Sequence, residues 1–240
     1  MNPNIVSPNE WLDARTKLLA KEKELTRLRD ELAKERARMP WVRVETNYVF
    51  EGATGKQTLS DLFAGKSQLV VWHFMMGPGW SEGCPSCSML SDHIDGTLPH
   101  LAARDVEYVA ISRATYAEIA PFRARMGWKF NWVSSFDTQF NRDFHVSFTQ
   151  EELSKGQFYY NYGLNGFPRE EAPGLSVFIK DEAGAIYHTY SSFARGAESM
   201  LGVYAILDLV PKGRDEAGLP WPMAWVRHRD RYGKTPTTTG

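Results

Sequence analysis

The 240-residue chain has only two cysteines, Cys84 and Cys87, separated by two residues. A secreted disulfide framework needs several bridges between distant positions, so this spacing excludes one. Long apolar runs are missing as well. A membrane helix needs about 20 consecutive apolar residues, and the longest candidate, Leu69 to Met76, is interrupted by His73. Charge of one sign is not in excess. With 28 Lys and Arg against 29 Asp and Glu the net charge is -1, which gives no broad positive field for nucleic acid or an anionic membrane. The opening Met1-Asn2-Pro3-Asn4 has no basic or apolar stretch of a secretory signal, and a cytoplasmic protein is expected. What is present is an ordinary globular composition, 42% hydrophobic and 24% charged, long enough for one sizeable domain with extensions.

Residues 1–40 read as a helical arm. Ser7 is placed to cap a helix, with Pro8 at its first position and Glu10 closing a capping box, and Pro40 stops it. Trp11, Leu18, Leu25 and Leu32 recur every seven residues, while Lys21 and Glu35 break the companion positions. Packing of this amphipathic arm on its own domain is the expectation, and a homodimer through the helix is the alternative. A domain over 41–212 follows, in which short strands and helices alternate. Strands are expected at Asn47 to Phe50, Leu69 to Met75, Val106 to Ser112 and Asn131 to Ser134. One helix starts near Pro85 and breaks and restarts around Gly96 and Pro99. Another is opened by Thr115 and Glu118 and ended by Gly127. Residues 137–172, rich in Phe and Tyr without a period, read as an insertion packed by aromatics rather than by regular structure. A hairpin follows, Leu175 to Lys180 and Ala185 to Tyr190 about the turn Asp181-Glu182-Ala183-Gly184, then a helix from Glu198 to Leu209. Residues 213–240 form a C-terminal extension whose closing Thr-Pro-Thr-Thr-Thr-Gly reads as disordered. This order of elements predicts a mixed α/β sheet with helices on both faces.

Chemistry concentrates in Gly77-Pro78-Gly79-Trp80-Ser81-Glu82-Gly83-Cys84-Pro85-Ser86-Cys87, between a buried strand and a helix start. Cys84 falls at the N-cap and Pro85 at the first helical position. Unpaired N–H groups and the helix dipole favour a thiolate there. The C-x-x-C spacing puts Cys87 one turn in, so Cys84 is the attacking thiol and Cys87 the resolving one. Zinc needs about four ligands, and none of His73, His93, His100, His145, His188 and His228 stands at zinc-motif spacing from the cysteines. Neither a metal nor another cofactor is called for. Inert buried thiols are the bland alternative, which the glycine-rich loop argues against. Trp80, Ser81 and Glu82 are candidate walls of the site, and Glu82 would raise the thiol pKa if close. His73 is a candidate acid or base, although a lone His in a buried strand is more often a core residue. His188, Thr189, Tyr190 and Arg195 are candidates for the same face. The cluster from Phe158 to Tyr162 reads as core filling before it reads as a substrate groove.

The architecture and the Cys84-Pro85-Ser86-Cys87 site resemble the thioredoxin superfamily. Val106 to Ser112, followed by helix, glycine and short strand, is similar to its peroxiredoxin-type branch. Three segments resemble a bacterial family of unknown function whose members are described as predicted dithiol–disulfide oxidoreductases. They are Gly79 to Cys87, His188-Thr189-Tyr190-Ser191 with Ala194-Arg195-Gly196, and Leu207 to Arg214. Trp11 and Trp225-Val226-Arg227-His228 extend the match over nearly the whole chain. The resemblance implies a thioredoxin-like fold for the domain over 41–212. Two features depart from the relatives. Pro173 stands near the place of the thioredoxin cis-proline, but Gly174 or Leu175 occupies the equivalent position. The run Pro78 to Cys84 is one residue short of the peroxiredoxin motif between proline and hydroxyl, with Arg113 and Arg142 as candidates for its arginine. The first expectation is a thiol–disulfide oxidoreductase acting on protein or small-molecule disulfides and regenerated by a thioredoxin-type or small-thiol reductant. A thiol peroxidase, with Cys84 peroxidatic and Cys87 resolving, is the second. A non-catalytic binding protein on the same scaffold is the third.

Overall fold

The computed structural model describes residues 4–233. The chain divides into two units, the first ending at Trp41 and the second starting at Val42. The first unit is helix α1 (Pro8–Ala37). Its start follows the capping rule: the Ser7 hydroxyl accepts from the Glu10 N–H at 3.3 Å, and the Glu10 carboxylate accepts from the Ser7 N–H at 2.9 Å. No residue of α1 is buried. Trp11, Leu18, Leu25, Leu28 and Leu32 stay exposed, because charged companions such as Lys21 and Glu35 leave the apolar residues in a single file.

Among its described residues the second unit holds ten strands: β1 (Val42–Arg43), β2 (Val49–Gly52), β3 (Gly55–Thr58), β4 (Gln68–His73), β5 (Val106–Ser112), β6 (Asn131–Ser134), β7 (Phe158–Tyr160), β8 (Gly163–Asn165), β9 (Gly174–Lys180) and β10 (Ile186–Phe193). Its helices are α2 (Pro85–Ile94), α3 (Leu98–Ala102), α4 (Tyr116–Met126), α5 (Phe140–Asp143), α6 (Gln150–Lys155) and α7 (Gly202–Leu207). Eight strands form one sheet in the order β1-β10-β9-β4-β5-β6-β2-β3, and β7 pairs with β8. At the centre β4 runs parallel to β5, with Gln68 opposite Val106 and His73 opposite Ile111, and β6 continues the parallel set. On its other side β4 meets β9 antiparallel, His73 opposite Gly174, and the hairpin turns back through β10. Parallel strands joined through helices, then an antiparallel hairpin beside the first of them, make the mixed sheet thioredoxin-like.

Alternation along the strands separates two cores. Trp72, Tyr108, Ala110 and Trp132 face one side, where Cys87 and Leu90 of α2 and Ile119, Phe122 and Met126 of α4 cover them. Leu69, Val71, Val109, Ile111, Val133 and Phe178 face the other, under Leu62, Phe63 and Phe140. The aromatic insertion builds a third cluster from Phe148, Phe158, Tyr160 and Phe193. It contains more regular structure than the composition predicts, since α5, α6 and the β7–β8 hairpin lie within it. The helix expected from Glu198 to Leu209 is split into a 3-10 stretch, Ala194–Met200, and α7. His93 explains the break: its Nε2 accepts the Val203 N–H at 3.1 Å, and its ring lies 3.0 Å from where a Cβ on Gly202 would stand. The Thr-Pro-Thr-Thr-Thr-Gly end lies outside the described residues. Among those described, no helix is long and apolar enough to cross a membrane.

Candidate active site

The site is built where β4 ends in the middle of the sheet. Phe74 continues the strand line by donating its N–H to the Ile111 carbonyl at 2.9 Å, and the Ser112 hydroxyl donates to the Phe74 carbonyl at 2.7 Å. The loop that follows is closed by the Cys84 N–H, which donates to the Met75 carbonyl at 3.0 Å. Gly79 sits at φ +80°, a left-handed conformation that glycine adopts without strain. Its N–H donates at 2.8 Å to Glu118, the residue that also completes the capping box of α4 with Thr115. Gly83 has no room for a side chain, because a Cβ there would run into the rings of Phe74 and Phe122. Two glycines and one helix cap thus fix the loop.

Cys84 is the N-cap of α2 and Pro85 its first residue. Half-buried Cys84 and buried Cys87 are both free thiols. The Cys84 carbonyl accepts from the Ser88 N–H and hydroxyl, each at 2.9 Å. The thiol of Cys87 donates to the Cys84 sulfur, which is the largest influence lowering the Cys84 pKa to about 7. Burial opposes it, while the N–H groups of Cys87 and Ser86 and the positive charge of Arg169 assist. Burial and the neighbouring Cys84 push Cys87 the other way, well above an ordinary thiol. One sulfur is therefore prepared as a thiolate while the other keeps its proton.

A cavity of about 440 Å³ opens beside Cys84. Trp80, Glu82 and Pro85 form one wall, and the C-terminal segment folds back to form another with Trp221, Met223, Arg227 and Arg231. His228 anchors that segment. Its Nε2 lies 2.8 Å from the Gly83 carbonyl, which can only accept, so Nε2 carries the proton and Nδ1 receives Arg125 at 3.0 Å. Glu82 pairs with both Arg125 and Arg231, and Arg125 reaches Asp230 at 3.0 Å. Arg229 adds a pair with Asp92 of α2. Cations surround the Glu82 carboxylate, and the charge that lowers the Cys84 pKa is that of Arg169. Arg169 lies 5.9 Å from the centre of the Trp80 ring, whose Nε1 donates to Glu170 at 3.1 Å.

Other candidates lie elsewhere. His73 is 1% exposed and belongs to the opposite face of the sheet. There it stacks on Phe140 and shares a 2.8 Å hydrogen bond with Ser176. Burial pushes its pKa down to about 3, so it is a neutral core residue at physiological pH. Ser81 is exposed and does not line the cavity. His188 joins the same far network through Ser191 at 2.7 Å, aided by a bulge between His188 and Tyr190. Arg195 pairs with Glu198 at the surface. Arg113 is bound to buried Glu171 at 2.6 Å, which also accepts from the Ser147 hydroxyl. Burial raises the Glu171 pKa against both of these partners. No peptide bond among the described residues is cis, Pro173 included. Within the aromatic run Phe158 and Tyr160 fill the core, while Tyr159 and Tyr162 are exposed.

Sequence reasoning missed Arg169, Met223 and Arg231, and it named Arg227 and His228 without giving them a role at the site. No local pattern marks them. They reach Cys84 only because the chain returns from far along the sequence, Arg169 after 85 residues and the C-terminal group after more than 130, as the His228–Gly83 contact does. The resemblance that quotes Trp225 to His228 together with Gly79 to Cys87 was the only available signal.

Solved structures of similar shape include the peroxidoxin BcpB of Mycobacterium tuberculosis, at 14% identity over 68% of this chain and 94% of that one, with a TM-score of 0.45. They also include peroxiredoxin Q of Xanthomonas campestris, at 14% identity over 70% of this chain and 95% of that one, with a TM-score of 0.48. No curated protein matches the sequence. A family model described as "Bacterial protein of unknown function (DUF899)" matches residues 1–232, and the chain belongs to that family.

Proposed function

We propose that this protein is a thiol–disulfide oxidoreductase in which Cys84 attacks and Cys87 resolves. The observation that carries the reading is the asymmetry of the pair: Cys84 at the helix N-cap is drawn toward the thiolate, with a pKa of about 7, while Cys87 beneath it holds its proton. In the oxidative direction the Cys84 thiolate attacks one sulfur of a disulfide. The other sulfur leaves as a thiolate and takes up a proton, and a mixed disulfide remains. Cys87 then loses its proton and attacks the Cys84 sulfur. That step forms the Cys84–Cys87 disulfide and expels the second substrate thiol. One disulfide is reduced to two thiols and one dithiol is oxidised, so electrons balance. A thioredoxin-type protein or a small thiol would reverse the change on the protein side. Reduction of peroxide draws on less here, because Ser81 is not among the residues lining the cavity and Arg113 is paired with Glu171.

The test is a redox titration of the purified protein, with free thiols counted by alkylation and mass spectrometry. Two thiols should disappear together and reversibly at a defined potential, and Cys84→Ser should abolish the change. Two thiols that stay reduced across the accessible range would sink the reading in favour of a binding protein on this scaffold. Cys84 sulfenic acid formed by dilute peroxide faster than any disulfide exchange would replace it by a peroxidase.

A further inference from the structure

We infer that the cavity beside Cys84 selects small disulfides that carry carboxylates; this rests on the thiol–disulfide reading above. Enclosure argues for a small substrate. The C-terminal segment is pinned over the thiol by His228 on the Gly83 carbonyl and by Arg231 on Glu82. The sulfur therefore faces a cavity of about 440 Å³ rather than an open sheet edge. That volume is in the range of sites for small ligands, roughly 300–1,000 Å³.

Charge argues for the anion. Arg169, Arg227 and Arg231 line the cavity, against the single carboxylate of Glu82. Glu82 is matched by Arg231 and Arg125, which leaves Arg169 and Arg227 without an ion pair to any described carboxylate. Their positions are nonetheless fixed. Arg169 lies by the ring of Trp80, and Arg227 donates to the carbonyls of Ala224 and Val226 at 2.9 and 3.0 Å. Neutral carbonyls and a ring orient a guanidinium without cancelling its charge. Its remaining N–H groups suit the planar fork of a carboxylate. Trp80, Trp221 and Met223 supply apolar surface for the methylene chain between carboxylate and sulfur.

The experiment compares three disulfides of similar size on the reduced protein: dithiodipropionate (dianionic), bis(2-hydroxyethyl) disulfide (neutral) and cystamine (dicationic). Each rate of Cys84–Cys87 oxidation is divided by the rate of the same disulfide with a small uncharged thiol, which removes leaving-group differences. The normalised rate should be highest for the dianion, by about tenfold over the neutral compound, and lowest for the dication. Arg169→Gln with Arg227→Gln should bring dianion and neutral within about threefold of each other. Because both rates are read on the same protein at the same pH, any change in the thiolate fraction of Cys84 cancels. Equal normalised rates in the unaltered protein, or a dianion preference that survives both substitutions, would overturn the carboxylate inference and leave the oxidoreductase intact. Failure of all three disulfides to oxidise the pair while iodoacetamide still alkylates Cys84 would overturn the oxidoreductase reading, and the inference with it.

Discussion

At Cys84 a hydrogen bond from another thiol outweighs burial. This ordering has a measurable consequence. Below pH 7 the sulfur is protonated and unreactive, and the thiolate fraction grows as pH rises through about 7. Iodoacetamide alkylation of Cys84, followed by mass spectrometry from pH 5 to 10, should show a midpoint near 7, with Cys87 unreactive over the neutral range. In Cys87→Ala the donor is lost, and the Cys84 midpoint should move up toward the ordinary thiol value. An unchanged midpoint would transfer the credit to the helix N–H groups and Arg169. The Cys84/Cys87 pair was legible in the sequence because its geometry is local: C-x-x-C with proline at the second position defines an N-cap and its next turn. Glu82 illustrates the opposite case. Two residues from the thiol in sequence, it is paired with Arg125 and Arg231, which no spacing rule connects to it. His73 illustrates a third. Strand periodicity alone puts it on the face away from Trp72, and that face is where Phe140 and Ser176 hold it.

The loop between β4 and α2 depends on how closely backbone can approach ring. Gly83 lies against Phe74 and Phe122, and Phe122 is part of α4, so strand, loop and helix meet at one atom-sized gap. Gly83→Ala should force the loop away from Phe74, at about 1–3 kcal/mol of overpacking, and should slow disulfide exchange at Cys84 by displacing its N-cap. Urea unfolding and stopped-flow oxidation would measure the two effects; full stability and rate in the variant would show that the loop has slack. Legibility of the elements follows the same division between local and distant causes. Val106–Ser112 and Asn131–Ser134 appear as strands where their apolar runs placed them, and Thr115 with Glu118 opens α4. Those signals are contained within a few residues. The strand expected from Asn47 instead runs Val49–Gly52, and β3 carries the polar Lys56-Gln57-Thr58 that no apolar pattern announces. Pairing of Phe50 with Gln57 across a short turn makes that strand. The interruption before α7 likewise comes from His93, contributed by α2.

Across the whole molecule, the two ends of the chain make unequal contributions to the core. Among the described residues every buried apolar one falls between Tyr48 and Val226, and α1 contributes none. The C-terminal segment does contribute: Val226 is 3% exposed in the cluster that includes Cys87 and Phe122, and His228 is buried beside it. Composition could not distinguish these ends, since both are short, charged and dotted with tryptophan. Their difference lies in what each side chain meets after folding. The C-terminal contribution can be read in the melting temperature. Truncation before Trp221 should lower it by about 5 °C or more, as Val226 leaves a cavity and the Gly83 carbonyl loses its partner. The same truncation strips the wall from the Cys84 cavity. Alkylation of Cys84 by a bulky maleimide should then accelerate relative to iodoacetamide. Differential scanning fluorimetry with paired alkylation rates would record both outcomes. A stable C-terminal truncation with an unchanged ratio would mean that the returning segment neither supports the core nor screens the thiol.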